Sequence, residues 1–355
     1  MQHAFEAIDD SERLIEQVRC AYVSRSPVRI RGGNSKSFLG RPVQGEELDT
    51  RSHRGIVSYD PTELVITVRA GTPLVLLSET LAEAGQMLPC EPPEFQDRAT
   101  VGGAVASGLC GPRRPWAGSM RDFVLGCRVI TGQAKHLRFG GEVMKNVAGY
   151  DMSRLLAGSF GCLGILTEVS LKVLPSSREQ RSVTFNISWA EALLYLSEWR
   201  KDSLPISGAC YVDDRLHVRL EGGAGSVQSA LRRIGGEELD PVFWGMLREQ
   251  QLAFFKDPRP LWRLSIARNR LVDPLPGEVL VDWGGSQLWL KSDETAKAIR
   301  HIAEAADGHA TCFTARDGTE PFHPLEVPAL RYHRKLKERL DPRAILNPGR
   351  MYADF

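Results

Sequence analysis

The chain predicts an α+β protein of two domains, and three observations carry that expectation. Three glycine-rich turns, at residues 31–36, 99–111 and 158–164, crowd the first half. The segment 166–174 alternates, with Val169, Leu171 and Val173 on one side and Glu168, Ser170 and Lys172 on the other, which is the period of a half-buried strand. Pro175 then interrupts the pattern, the glycine loops vanish, and Trp189, Trp199, Trp244, Trp262, Trp283 and Trp289 follow. We therefore set domain boundaries at 1–175, 176–324 and 325–355, the last segment returning to the first domain.

Each element has a local reason. Leu14, Ile15, Val18 and Tyr22 recur at helical spacing and predict a helix over 11–22. A strand over 28–31 follows, then strands over 55–59 and 64–69 joined by the turn Asp60-Pro61-Thr62-Glu63. Thr72-Pro73 reads as a cap and first-turn proline of a helix ending at Gly85. Residues 123–130 and 135–139 pair as a hairpin about Thr131-Gly132-Gln133. In the second domain, Ser188 and Glu191 have capping-box spacing on a helix to Arg200. Further helices are expected over 226–234 and 292–306, with strands over 208–212, 216–220, 261–266, 279–282 and 287–290. Strands covered by helices make an α+β cap. Its tryptophans read as core, because large apolar side chains are mostly buried. The tail carries a basic helix over 328–340, whose Arg331, His333, Arg334, Lys335, Lys337 and Arg339 read as a solvated face, and then the Asn347-Pro-Gly turn.

Composition excludes several functions. At 355 residues the chain has room for two cores. With 45 basic and 44 acidic residues its net charge is +1, so it has no electrostatic footprint for nucleic acid. No stretch approaches the ~18 consecutive apolar residues of a membrane span. The opening residues, acidic at Glu6, Asp9 and Asp10, lack a signal-peptide pattern, so a cytoplasmic protein that does not span the membrane is expected. The seven cysteines, at 20, 90, 110, 127, 162, 210 and 312, form no C-x-x-C pair. That spacing argues against a metal site and against an iron–sulfur cluster ligated by this chain alone; reduced, mostly buried thiols are expected.

The glycine turns carry the chemistry. Glycine lets a backbone N–H approach a phosphate oxygen closely, and convergent amides neutralise a diphosphate without a lysine. Residues 32–35 and 101–104 are the candidates, with Ser35 able to donate a hydroxyl as well. Each segment alone fits a structural tight turn equally well. The run from Gly103 to Gly108 has Walker spacing but is followed by Leu109-Cys110, and no G-x-G-x-x-G lies between a strand and a helix.

In order, these motifs resemble the vanillyl-alcohol-oxidase (PCMH-type) FAD-binding family. Arg31-Gly-Gly-Asn-Ser-Lys36 looks like its first diphosphate loop, Thr100-Val-Gly-Gly-Ala104 like its second, and Ser119-Met-Arg-Asp-Phe-Val-Leu-Gly126 like the strand after it. Lys145-Asn-Val-Ala-Gly149-Tyr150-Asp and Gly158-Ser-Phe-Gly161-Cys-Leu-Gly164-Ile165 match the paired segments that close over flavin. Leu340-Asp-Pro-Arg-Ala-Ile-Leu-Asn347-Pro-Gly-Arg-Met-Tyr352 matches the C-terminal signature of the glycolate and D-lactate branch, and within that branch the chain resembles the FAD-binding E subunits of bacterial glycolate oxidases. The resemblance implies a PCMH-type domain of two α/β subdomains plus an α+β cap. It implies FAD contacts at Pro89, Val101, Gly102, Gly103, Gly108, Gly111, Arg121, Asp122 and Thr167 beside the residues just named. Ile165 and Thr167 would meet the adenine side, and Gly108, Gly111 and Tyr150 the ring. Tyr150 fits a domain-interface residue equally well. Some members attach FAD through a histidine in the first loop; Asn34 stands at that place, so noncovalent FAD is expected, with Cys110 as the alternative anchor.

Oxidation of a 2-hydroxy acid needs a base for the hydroxyl proton and a cation for the carboxylate. Catalytic members carry H-G-D-G-N-x-H before the C-terminal signature; here that place reads Thr314-Ala-Arg-Asp-Gly-Thr-Glu-Pro-Phe-His323. His323 is left as a lone base or as a surface or capping histidine, and Arg113 and Arg114, beside Trp116, as a carboxylate clamp, a solvated rim loop or a partner contact. The resemblance thus implies an FAD-binding subunit of a multi-subunit glycolate dehydrogenase. A sister catalytic flavoprotein and an iron–sulfur subunit would be its partners, at the inner face of the cytoplasmic membrane. A stand-alone D-2-hydroxy-acid (D-lactate) dehydrogenase and a non-redox structural flavin subunit are the alternatives, with a sugar-nucleotide reductase further off.

Overall fold

The computed structural model describes residues 7–141, 150–267, 275–315 and 318–355. The chain divides into two compact units. The first comprises Met1–Leu109, Ser119–Ser176 and Pro324–Phe355, and the second Cys110–Gly118 and Ser177–His323. The sequence had assigned residues 110–118 to the first domain. They cluster with the second because Arg113 pairs with the buried carboxylate of Glu221 and the Arg114 guanidinium lies 4.3 Å from the Trp283 ring.

Two parts of the first unit bear on the site. In one, the helix Ser11–Ser24 buries Leu14, Ile15 and Val18 against Val28, Leu48, Ile345 and Leu346, around the parallel pair Val28–Arg31 and Glu46–Asp49. In the other, five antiparallel strands run in the order Ile56–Asp60, Val65–Arg69, Ile165–Lys172, Val124–Ile130, His136–Gly140. The central strand Ile165–Lys172 was expected to be half-buried; instead both of its faces are largely covered, and Ser170 bonds the Thr67 hydroxyl at 2.8 Å inside the sheet. The helix Leu74–Glu83 forms without a side-chain cap: Thr72 Oγ1 accepts from Gly55 N instead.

The second unit is an eight-stranded antiparallel sheet in the order Glu237–Glu238, Glu179–Asn186, Arg215–Gly222, Ile206–Val212, Glu278–Asp282, Gln287–Lys291, Leu261–Ser265, His309–Cys312. Three helices, Trp189–Lys201, Ala224–Ile234 and Ala296–Ala305, bury one face in two apolar clusters. The capping box is present, with Glu191 N donating to Ser188 Oγ and Ser188 N to the Glu191 carboxylate. The last of these helices begins at Ala296, not 292, because Thr295 caps it while Ser292 accepts from Glu294 N in the preceding turn. Trp199, Trp244, Trp262, Trp283 and Trp289 are all buried.

The other face of this sheet buries polar groups. His217 lies with its ring 4.3 Å from Phe243 and its Nδ1 unpartnered. Burial, with Arg215 adding to it, pushes its pKa down to about 4. The unfolded chain therefore takes up a proton near pH 6.5 that the folded chain refuses. Stability is complete above that pH and falls by on the order of 3 kcal/mol as pH drops toward 4. Melting temperatures of the parent should accordingly fall more steeply than those of His217→Leu across that interval; parallel curves would refute it.

Candidate functional site

A cavity of about 340 Å³ opens in the first unit, within the size range of small-ligand sites. Its wall includes Arg31, Gly32, Gly33, Asn34, Ser35, Lys36, Thr100, Gly102, Gly103, Gly161, Gly164, Ile165, Asn347 and Arg350. Pieces from both ends of the chain meet here, and Asn347 joins them: its Oδ1 accepts from Ile30 N at 2.8 Å and its Nδ2 donates to Phe160 O at 2.7 Å.

The loop 32–35 supplies the decisive feature. Asn34 holds φ +57°, and the amides of Gly32, Gly33, Asn34 and Ser35 donate to no acceptor among the described residues. Four successive N–H groups left open on a cavity wall form an anion nest, and the Ser35 hydroxyl stands beside them. Gly33 is obligatory: a Cβ there would fall 1.4 Å from Arg98 O. Lys36 is buried, its Nζ donating to Pro93 O at 3.1 Å and lying 5.1 Å from the Phe95 ring, so its ammonium braces the loop.

The second glycine segment differs from expectation. Residues Val101–Ser107 are a helix capped by Thr100, and its first amides are spent internally. Val101 N donates to Thr72 O, Gly102 N to Ala70 O, Gly103 N to Thr100 Oγ1 and Ala104 N to Thr100 O. This helix builds the wall instead of presenting a second nest. Val101 and Ala104 are buried behind it, and Gly108 closes the helix at φ +64°.

Other expected contacts lie away from this wall. Ser119 and Asp122 cap the short helix Met120–Phe123 reciprocally, Arg121 is exposed beside them, and Pro89 is buried elsewhere. Thr167 is fully buried and bonds His136 Nε2 at 2.9 Å. Gly111, in the second unit, accepts from Trp283 Nε1. Tyr150 is 96% exposed, and Gly149, with residues 145–148 of its motif, lies outside the described residues.

Arg350 is a charged wall residue that sequence reasoning missed, although it sits in the C-terminal signature. Its guanidinium donates to the carbonyls of Arg41, Lys36 and Ser37, and burial holds its pKa below the ordinary arginine value. Neutral acceptors leave that positive charge to the cavity. The open amides and this cation together suit a diphosphate. Arg31 is different, being tied to Glu47 at 2.7 Å.

The catalytic candidates are engaged elsewhere. His323 Nδ1 accepts from Ala310 N at 3.3 Å and its Nε2 faces Glu304 at 3.2 Å, while burial pushes its pKa down. Both ring nitrogens are thus engaged within the second unit, one of them by the strand His309–Cys312. Arg113 is consumed by Glu221, which also holds Arg219 at 3.1 Å. All seven cysteines are free thiols, and no group of potential metal ligands occurs among the described residues. Nor, among them, is any helix long and apolar enough to cross a membrane.

Comparison with known proteins agrees with this geometry. Residues 3–140 match the model of an FAD binding domain family. The glycolate oxidase subunit GlcE of Escherichia coli is 59% identical over 98% of this chain and 99% of its own length. The glycolate oxidase subunit GlcD of Bacillus subtilis is 30% identical over 45% of the chain and 34% of its own, and the D-lactate dehydrogenase of Anaerostipes hadrus 35% over 47% and 35%. Among solved structures, an alkyldihydroxyacetonephosphate synthase superposes with a TM-score of 0.69 at 18% identity, over 95% of this chain and 74% of its own, which bears on the fold alone. This chain belongs to the GlcE family of FAD-dependent oxidoreductase subunits, built on the PCMH-type fold with FAD as its cofactor.

Proposed function

We propose that the chain holds FAD noncovalently and serves as the electron-passing subunit of an assembly that oxidises glycolate to glyoxylate. The observation that carries this reading is the row of four open amides at 32–35, facing a cavity completed by Arg350. FAD, when bound, supplies the two-electron acceptor chemistry that a CH–OH oxidation requires. The chain's own residues bind and orient it: the amides and Arg350 neutralise the diphosphate, and Asn347 fixes the distance between the loop and the 158–164 segment. Asn34 offers no imidazole for a covalent tether, so acid denaturation should release all of the flavin.

The base that removes the hydroxyl proton is assigned to a sister catalytic flavoprotein, because His323 is committed to Ala310 and Glu304. An iron–sulfur subunit would take the electrons onward, with the assembly attached peripherally to the inner face of the cytoplasmic membrane. Copurification of the tagged chain from its native host, with flavin and iron analysis and stopped-flow mixing with glycolate, tests the reading. The assembly should contain iron and bleach with glycolate, while the isolated chain stays yellow. Rapid bleaching of the isolated chain would overturn the division of labour; flavin in the assembly that stays oxidised through turnover would make the bound FAD merely structural.

A further inference from the structure

The sheet of the second unit has two unlike faces over its last three strands. Trp262, Leu264, Leu288 and Leu290 pack against the helix Ala296–Ala305. The alternate residues project the other way: Arg263 stands across from Thr311 and Trp289, and Ser265 across from His309 and Gln287. On this polar face the Arg263 guanidinium lies 5.2 Å from the Phe313 ring, and its Nε is buried with no hydrogen-bond partner. Gln287, 2% exposed, likewise has a buried and unpaired Oε1.

Arg263 has no carboxylate within ion-pair distance among the described residues. The charged groups that act on it are the Cys110 thiol and the like charge of Arg114, and burial brings its pKa down to about 10. His309 is held neutral by burial, with Arg263, His323 and Arg114 reinforcing the effect. Two arginines and a histidine therefore crowd this end of the face, while Asp282, two strands from Arg263, accepts from Gln287 Nε2 at 3.4 Å and is not among the charges that act on Arg263. A desolvated guanidinium without an anion is costly, and a ligand that supplies the anion removes that cost.

We propose that this face binds a small carboxylate, gripped by the Arg263 fork with Arg114 adding a second positive charge. The planar guanidinium matches a carboxylate bidentately, and the Thr311 and Ser265 hydroxyls and the Gln287 amide lie on the same face for a neighbouring hydroxyl or oxo group. That the carboxylate is a 2-hydroxy or 2-oxo acid rests on the glycolate reading; the anion site itself does not. The chain would then hold substrate or product as well as flavin.

Calorimetric titration of the FAD-loaded chain with oxalate at low ionic strength tests this. The parent should bind, Arg263→Met should lose at least about tenfold in affinity, Arg263→Lys an intermediate factor, and Arg114→Met a smaller one. All should retain their flavin absorbance. If Arg263→Met fails to fold, the other two variants decide. Absent binding by the parent, or unchanged affinity in the variants, overturns the site, and tighter binding of inorganic phosphate than of oxalate or glycolate overturns the carboxylate assignment. A colourless chain that still binds oxalate would sink the flavin reading and leave this one standing.

Discussion

Gly33→Val should yield a folded but colourless protein. The new Cβ would stand 1.4 Å from the Arg98 carbonyl oxygen, closer than any side chain tolerates, and the obstacle is backbone rather than a movable side chain. The loop must therefore shift, and the amides of residues 32–35 shift with it. Charge-assisted hydrogen bonds contribute about 1.5–3 kcal/mol each, so losing two of them weakens FAD binding by at least about a hundredfold. Gly245→Ala is the control: nothing stands within 4 Å of its added methyl, the site is helical, and flavin content should be unchanged. Fluorescence titration of the apoproteins with FAD measures both, and parent-like affinity in Gly33→Val would remove the loop from the binding site.

Lys337→Met should cost about 3–5 kcal/mol of stability. Lys337 and Asp341 are 5% and 1% exposed, and the ammonium donates to Asp341 at 2.8 Å, Cys162 O at 2.8 Å and Leu346 O at 2.7 Å. The carboxylate meanwhile accepts from the amides of Ile345 and Leu346. Removing the lysine strands a buried anion and two carbonyls at the point where the tail turns toward the cavity. The double variant Lys337→Met/Asp341→Leu should recover part of the loss, because a buried charge is worse alone than absent. Denaturant titrations report the energies, and hydrogen exchange at residues 345–350 reports the loosening. A single variant within about 1 kcal/mol of the parent would show that the pair is solvated after all.

Local rules read well where backbone geometry or apolar period dictates the outcome. The loop at 31–36, the Ser188 capping box and the strands over 28–31 and 261–266 were legible for that reason. The helix Val101–Ser107 was not, because two glycines argue against a helix. Tertiary packing overrides them: a Cβ on Gly102 would lie 2.7 Å from Ala70 Cβ, so close approach to the turn just past the strand Val65–Arg69 selects glycine there. The strand Glu179–Asn186 was missed because Ser182 and Thr184 look like surface residues and are buried. The same holds for Arg219 and Glu221, whose burial follows from each other's charge and not from any sequence period. Arg350 is another case: its role depends on three carbonyls from residues 36–41 that only the folded chain brings near.

The bond from Ile30 N to Asn347 Oδ1 spans 317 residues. During synthesis the nest at 32–35 leaves the ribosome early, yet its opposite wall is still untranslated. A nascent chain can fold much of its architecture and still be unable to retain the nucleotide. Yellow colour thus reports that translation has run past Asn347, and a chain cut short before that residue should emerge colourless.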